Sequence, residues 1–335
     1  MDLTLVGALV ASAMLAFICA YKVAPPMRER FLSRGIAGID EHKADRPKIA
    51  EMGGVVIVSG YLVGMLSLLI VYPGNLPSLL AVLTMTLMVS MIGLMDDILK
   101  LSQRMKVILP VLAALPLIIV VSGDRTMLIP LIGYVHVGIL YPLVLVPIGV
   151  VAASNLTNLL AGLNGLEAGM GLIASVSILV ASLLEFSVGG RADAILAVLI
   201  MAPLIGSLLA FLRYNLYPAK IFPGNSGTYL IGAVIAAAVI LGRVTVIGII
   251  TLTPFIVEFF VKARAGFKGT SFGRLNPDGT LSARTNPPES LTHMLMARGR
   301  FTEQRLVAIF WLIQAAFGAI AIVIAYYSVY FILFR

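Results

Sequence analysis

Residues 154–169, SNLTNLLAGLNGLEAG, place three asparagines, one glutamate and three glycines in a chain that is otherwise a series of long apolar runs. A side-chain amide offers an acceptor oxygen to a hard cation, and both a donor and an acceptor to a nucleobase. Glycine lets the backbone approach a bound group closely. We interpret this segment as a binding site and not as a linker.

Two carboxylates and a lysine form a second chemical group. Asp96 and Asp97 end one predicted membrane span, and Lys106 begins the next. Carboxylates at the negative pole of one helix and an ammonium at the positive pole of another are unfavourable placements, which a metal ion and a phosphate group would relieve. Spacing alone leaves open the alternative of an Asp–Lys ion pair between neighbouring helices.

Membrane helices must position these groups. Hydrophobic residues make up 60% and charged residues 12% of the 335 residues, which excludes an ordinary soluble domain. We predict an all-α, polytopic membrane protein that forms one domain over residues 1–335. Ten transmembrane spans are expected at about 3–21, 54–73, 78–95, 107–122, 137–153, 167–186, 194–213, 227–242, 244–262 and 306–332.

Lys and Arg residues predict the orientation of these spans. Successive odd-numbered loops hold 7, 3, 0, 2 and 8 of the 24, and only 4 lie elsewhere. Because basic residues stay cytoplasmic, we expect both termini outside and the polar segments inside, including two long loops at about 22–53 and 263–305. The net charge of +8 is therefore a topological signal that suits contact with the lipid bilayer, and we predict no nucleic-acid binding.

Five segments resemble those of the polyprenyl-phosphate N-acetylhexosamine-1-phosphate transferases in order and spacing, and most closely the eukaryotic and archaeal branch that acts on dolichyl phosphate. They are GIDEHKADRPKIAEMGG (38–54), GLMDDILKLSQRMKVILP (93–110), SNLTNLLAGLNGLEAG (154–169), YPAKIFPGNSGTYLIG (217–232) and GRLNPDGTLS (273–282). The resemblance implies Mg²⁺-dependent transfer of N-acetylglucosamine (GlcNAc) 1-phosphate from UDP-GlcNAc to dolichyl phosphate, with Mn²⁺ as a substitute ion. The products would be UMP and GlcNAc-diphospho-dolichol, an early intermediate of N-glycosylation.

The resemblance also implies a catalytic group. It places Asp96 near the acceptor phosphate, where we expect it to organise charge more than to remove a proton, since a phosphate monoester is mostly ionised near neutral pH. Asp97 belongs to the same group, and Lys106 contacts phosphate. By the same resemblance Asn158 supplies one Mg²⁺ oxygen, with helix capping as the alternative. Asn225 stands where the family normally has an aspartate ligand, so one negative charge is missing.

Substrate contacts are expected from six further residues, on the same resemblance: Asp40, Lys43, Glu51, Asn164, Glu167 and Phe222. Asn164 matches the residue that reads the uracil edge, and Glu51 is placed for sugar hydroxyls. The alternative for the residues of loop 22–53 is a solvated charged loop. Glu167 has the alternative of a favourable start to a helix.

Several polar residues have weaker assignments. A helix cap is one open alternative for Asn155. Lys262, Arg264 and Lys268 are either diphosphate contacts or ordinary cytoplasmic cations, and NPDG (276–279) predicts a turn that closes a hairpin. The three histidines, His42, His136 and His293, are too dispersed to indicate a metal cluster.

Other functions remain as alternatives. Within the family these are a bacterial undecaprenyl-phosphate transferase and a phospho-MurNAc-pentapeptide transferase. A transporter would carry ionisable residues near the bilayer midplane and would show an internal repeat. A UDP-sugar-binding or lipid-binding relative without turnover is suggested by Asn225. We expect an archaeal plasma membrane, or the endoplasmic reticulum if the source is eukaryotic; a homodimer is left open.

Overall fold

The apolar segments form long helices in the computed structural model, which describes residues 3–123, 126–129, 133–267 and 270–333. The α-helices in these ranges are α1 (Leu3–Ser33), α2 (Gly54–Val71), α3 (Leu76–Leu99), α4 (Met105–Ala113), α5 (Leu115–Val121), α6 (Val146–Leu159), α7 (Leu166–Ser187), α8 (Ala194–Asn215), α9 (Gly224–Leu241), α10 (Thr245–Arg264), α11 (Leu291–Met296) and α12 (Glu303–Leu333). Nine helical segments of the described ranges are long and apolar enough to cross a bilayer. A helix satisfies its own backbone polar groups in lipid, so the predicted all-α, polytopic membrane fold is confirmed.

The fourth predicted span differs from the others. Residues 107–122 lie in two short helices, α4 and α5, which meet at Ala114. Pro110 and Pro116 each lack an N–H group, so the helical hydrogen bonding is interrupted on both sides of that junction. The first span also differs, because α1 continues to Ser33 and the predicted loop 22–53 therefore begins as helix.

Short antiparallel hairpins lie between the helices. They pair β1 (Ala37–Ile39) with β2 (Lys48–Ala50), β3 (Thr126–Ile129) with β4 (Gly133–His136), and β5 (Arg274–Leu275) with β6 (Leu281–Ser282). The predicted NPDG turn closes the last hairpin, with the Gly279 N–H donating to the Asn276 carbonyl at 3.0 Å. Both of the long predicted loops thus contain a hairpin.

Helices α8 and α9 form the centre of the bundle, since 83% of the residues in an 18-residue apolar stretch of each helix are buried. Small residues let α2 pack closely against α1 and α8. The Ser12 hydroxyl donates to the Gly64 carbonyl at 2.9 Å, and a Cβ atom on Gly64 would lie 2.6 Å from the Cβ of Pro203. Helix α9 also packs against α3, which brings the start of α9 beside the end of α3.

Candidate active site

Four of the five motif segments meet in one cleft of about 420 Å³, where α3 and α6 end and α7 and α9 begin; segment 273–282 does not line it. This volume is typical of a small-molecule site. Ten of the predicted site residues line the cleft: Asp40, Glu51, Asp96, Asp97, Lys106, Asn158, Asn164, Glu167, Phe222 and Asn225. Lys43 does not line this cleft but lines a separate cavity. The polar groups are gathered at one end of the bundle, unlike the midplane placement that a transporter predicts.

Asp97 caps the start of α9. Its carboxylate accepts the Asn225 N–H at 2.7 Å and the Ser226 N–H at 3.2 Å. These amides belong to the first turn of a helix, which has free N–H groups and a partial positive charge. Gly93 makes the close approach of α3 and α9 possible, because a Cβ atom there would lie 2.6 Å from the Asn225 carbonyl oxygen. The unfavourable position of Asp97 at the end of α3 is thus compensated by α9.

Asp96 is buried and connects three helices. One carboxylate oxygen accepts the Leu101 N–H at 2.9 Å. The other lies 2.8 Å from Lys106 Nζ on α4 and accepts a hydrogen bond from Asn225 Nδ2 on α9 at 2.9 Å. The ion pair that spacing left as an alternative is therefore present, and it lies in the wall of the cleft.

Oxygen atoms suitable for a divalent cation surround this group. The Asn158 Oδ1 atom accepts a hydrogen bond from the Thr228 hydroxyl at 2.9 Å, and Asn225 contributes a second amide beside the two aspartates. Burial raises the pKa of Glu51, and the nearby Asp97 carboxylate raises it further. Carboxylate and amide oxygens are the ligands of hard cations, so the residues present fit a divalent metal ion.

Backbone pairing joins the first motif segment to the fourth. The Phe222 N–H donates to the Ala50 carbonyl at 2.8 Å, and the Gly53 N–H donates to the Phe222 carbonyl at 2.8 Å. Glu51 lies between these two contacts, which places its side chain on the same wall as Phe222. Loop 22–53 is thus part of the site, unlike the solvated loop that was the alternative.

Glu167 and Asn164 hold the turn before α7. The Glu167 Oε1 atom accepts the Gly162 N–H at 2.7 Å, while its Oε2 atom is buried without a hydrogen-bond partner. Both polar atoms of the Asn164 side chain form hydrogen bonds. Its Oδ1 atom accepts the Ala219 N–H at 2.7 Å, and its Nδ2 atom donates to Asp40 at 3.2 Å. Gly165, at φ +84°, begins α7 from the left-handed region that glycine adopts readily.

The structure bears on two residues whose assignments the sequence left open. Asn155 is no cap, since it lies inside α6 and donates to the Val151 and Lys106 carbonyls at 2.8 and 3.3 Å. Lys262 is buried away from the cleft, 3.4 Å from Glu258, and donates to the Leu159 carbonyl. Arg264 also lies outside the cleft lining, and Lys268 lies outside the described residues.

Several cleft residues were not predicted from the sequence, among them Lys100, Asn215 and Phe272. Lys100 follows α3 in the left-handed region, at φ +50°, and lines the same cleft as Lys106. Asn215 ends α8 with its Oδ1 atom buried and without a hydrogen-bond partner, and Phe272 is the residue of loop 263–305 that reaches the cleft within the described ranges. The available signal for Lys100 was its position three residues after the Asp-Asp pair, whereas Asn215 and Phe272 reach the cleft only through tertiary packing.

Several known proteins are similar in sequence to this chain over most of its length. The family model described as glycosyl transferase family 4 matches residues 79–243. A Saccharolobus solfataricus protein, provisionally named UDP-N-acetylglucosamine–dolichyl-phosphate N-acetylglucosaminephosphotransferase, is 39% identical over 287 residues, which cover 86% of this chain and 87% of the relative. A Dictyostelium discoideum protein with the same name, unqualified, is 24% identical and covers 94% of this chain and 88% of its own length. A phospho-N-acetylmuramoyl-pentapeptide-transferase of Shouchella clausii is 32% identical, with 82% of each chain covered. The predicted family resemblance is confirmed, and the chain belongs to glycosyl transferase family 4.

Proposed function

We propose that this protein transfers GlcNAc 1-phosphate from UDP-GlcNAc to dolichyl phosphate, giving GlcNAc-diphospho-dolichol and UMP. Relatives named for this reaction align with most of the chain. The observation that carries the proposal is the cleft, where two carboxylates, two lysines and two asparagines lie at converging helix ends. Phosphoryl transfer depends mainly on positioning and charge neutralisation, which such a set of groups provides.

In the proposed reaction, an oxygen of the lipid phosphate attacks the β-phosphorus of the donor. The bond from that phosphorus to the bridging oxygen breaks, and UMP leaves. The Asp96 oxygens already accept hydrogen bonds from Leu101 and Asn225 and pair with Lys106, which supports a charge-organising role over proton removal. Lys106 offsets the charge that develops on the phosphoryl oxygens.

Mg²⁺ is the metal that we propose, with Mn²⁺ as a substitute. Asn158, Asn225 and Asp97 would hold it, and when bound it would neutralise diphosphate charge. The lining of the cleft supports this assignment, because its six carboxylates outnumber its two lysines and such a cleft favours a cation.

The experiment is UMP release by purified protein given UDP-GlcNAc, dolichyl phosphate and Mg²⁺. Turnover is expected, and it should be lost in Asp96→Ala but kept in Arg298→Gln, which changes an exposed cation outside the cleft lining. Full turnover by Asp96→Ala would refute the assignment. The Shouchella clausii relative favours one second candidate, so UDP-MurNAc-pentapeptide with undecaprenyl phosphate is tested in parallel.

We also propose that the reaction occurs at the cytoplasmic face of an archaeal plasma membrane. The Lys and Arg distribution along the sequence and the similarity to an archaeal relative support this placement. Cysteine variants of Arg298 and Asn75, on opposite sides of the predicted topology, test it in intact cells. An impermeant thiol reagent should label the Asn75→Cys variant only.

A further inference from the structure

Glu303, in the first turn of α12, is a buried carboxylate outside the predicted catalytic group. Its side chain is 3% exposed and does not line the cleft. The Oε1 atom accepts the Asn164 N–H at 2.7 Å, and the Oε2 atom accepts a hydrogen bond from Lys43 Nζ at 2.6 Å. His42 Nδ1 lies 3.7 Å from Oε1. A single carboxylate thus meets groups from two motif segments that are far apart in the sequence.

Each partner of Glu303 holds another segment. Asn164 accepts the Ala219 N–H at 2.7 Å, and Lys43 Nζ lies 3.9 Å from the centre of the Tyr217 ring. His42 Nε2 accepts the Gly273 N–H at 3.1 Å, next to the residue by which loop 263–305 reaches the cleft. Four of the five motif segments are therefore joined, directly or through one residue, to Glu303.

The same carboxylate could instead be read as a metal ligand. Asp40, His42 and Glu303 each place one donor atom within 4.8 Å of the others. However, Lys43 Nζ already lies 3.2 Å from Asp40 and 2.6 Å from Glu303, so an ammonium supplies the positive charge that two buried carboxylates need. His42 Nε2 is also occupied by a backbone N–H. The contacts favour a closed ion-pair network.

We propose that Glu303 is a positioning residue for the donor side of the cleft. Through Lys43 and the Asn164 N–H, it fixes Asp40 and Asn164, the two network members that line the cleft. Within the described part of the chain, no hydrogen bond or ion pair joins this network to the Asp96–Lys106 pair on the acceptor side, so its effect is confined to the sugar nucleotide. The assay of this role depends on the proposed function.

The test compares Michaelis constants for the two substrates. Glu303→Gln keeps the size and an acceptor oxygen for Asn164 but removes the charge that faces Lys43. We expect the KM for UDP-GlcNAc to rise about tenfold, because the displaced Asp40 and Asn164 side chains face that substrate only. The KM for dolichyl phosphate and kcat should stay within about twofold of the native values. The double variant Lys43→Met, Glu303→Gln should raise the KM for UDP-GlcNAc no further than Glu303→Gln alone, since the two side chains act as one pair.

Glu289→Gln, which changes a carboxylate of loop 263–305 that does not line the cleft, is the matched control and should leave both KM values unchanged. A merely structural role would lower the active fraction, and hence apparent kcat, with both KM values unchanged, and would overturn the proposal. So would a tightly bound metal ion that is lost in Glu303→Gln. If the native protein binds UDP-GlcNAc without releasing UMP, the proposed function fails, and the Kd for UDP-GlcNAc takes the place of KM in testing Glu303.

Discussion

Asn225→Asp introduces the carboxylate that the sequence resemblance implies for this position, and its effect should depend on metal. Asn225 Nδ2 lies 2.9 Å from an Asp96 oxygen, so the substitution replaces a hydrogen bond with two facing negative charges. At about 3 Å and an effective dielectric constant of about 20, two unit charges repel by about 6 kcal/mol. Part of this repulsion is relieved by the nearby Lys106 ammonium and by rotation of the new side chain. Without metal, we therefore expect the free energy of unfolding to fall by about 2–3 kcal/mol.

Mg²⁺ should reverse this loss. A carboxylate is a stronger ligand for a hard cation than an amide, so the variant should bind Mg²⁺ at least about tenfold more tightly. A ligand that binds only the folded state raises the free energy of unfolding in proportion to ln(1 + [L]/Kd), so tighter Mg²⁺ binding gives a larger gain. Thermal unfolding of the purified protein, in chelator and then across a Mg²⁺ titration, measures both effects.

Asn75→Asp is the matched control, because it adds the same charge at the opposite end of α3, outside the cleft. It should unfold at the same temperature with chelator and with Mg²⁺, apart from any shift shared with the native protein. The reasoning is refuted if Asn225→Asp matches the native protein in chelator and gains no more from Mg²⁺.

Three further changes have defined outcomes. Lys106→Met leaves Asp96 buried without its cation and should reduce kcat by about 10²–10³-fold in the UMP-release assay, since it removes a charge that stabilises the transition state. Lys100→Gln should raise the KM for UDP-GlcNAc several-fold through loss of a cleft cation, whereas Arg104→Gln, exposed and outside the lining, should not. The hydrogen bond from Arg284 lowers the pKa of Glu41 below its ordinary value of 4.5. This ion pair links loops 22–53 and 263–305, and its contribution to stability is complete above pH 4.5. The contribution is lost as the pH falls through the lowered pKa of Glu41. Limited proteolysis across that range should show opening in acid for the native protein, and Arg284→Gln should be cleaved equally at neutral and acid pH.

Hydropathy was enough to predict most of the fold. Nine predicted spans correspond to helices, because a segment that crosses lipid must be long, apolar and internally hydrogen-bonded. Residues 107–122 satisfied the same hydropathy criterion, yet they form α4 and α5, since two prolines interrupt the helix without changing its apolar character. The motif segments were also recognisable, because their polar residues stand out against the apolar background.

The roles of individual polar side chains depended on tertiary structure. Asn155, Lys262 and Glu303 have ordinary local sequence contexts. Asn155 contacts Lys106, 49 residues away. Lys262 contacts Leu159, 103 residues away, and Glu303 contacts Asn164, 139 residues away. The sequence by itself determined a membrane bundle with its polar motifs at helix ends. Only the packing of those ends decided which groups pair, because a hydrogen bond is made over about 3 Å in space and periodicity along the chain carries no record of that distance.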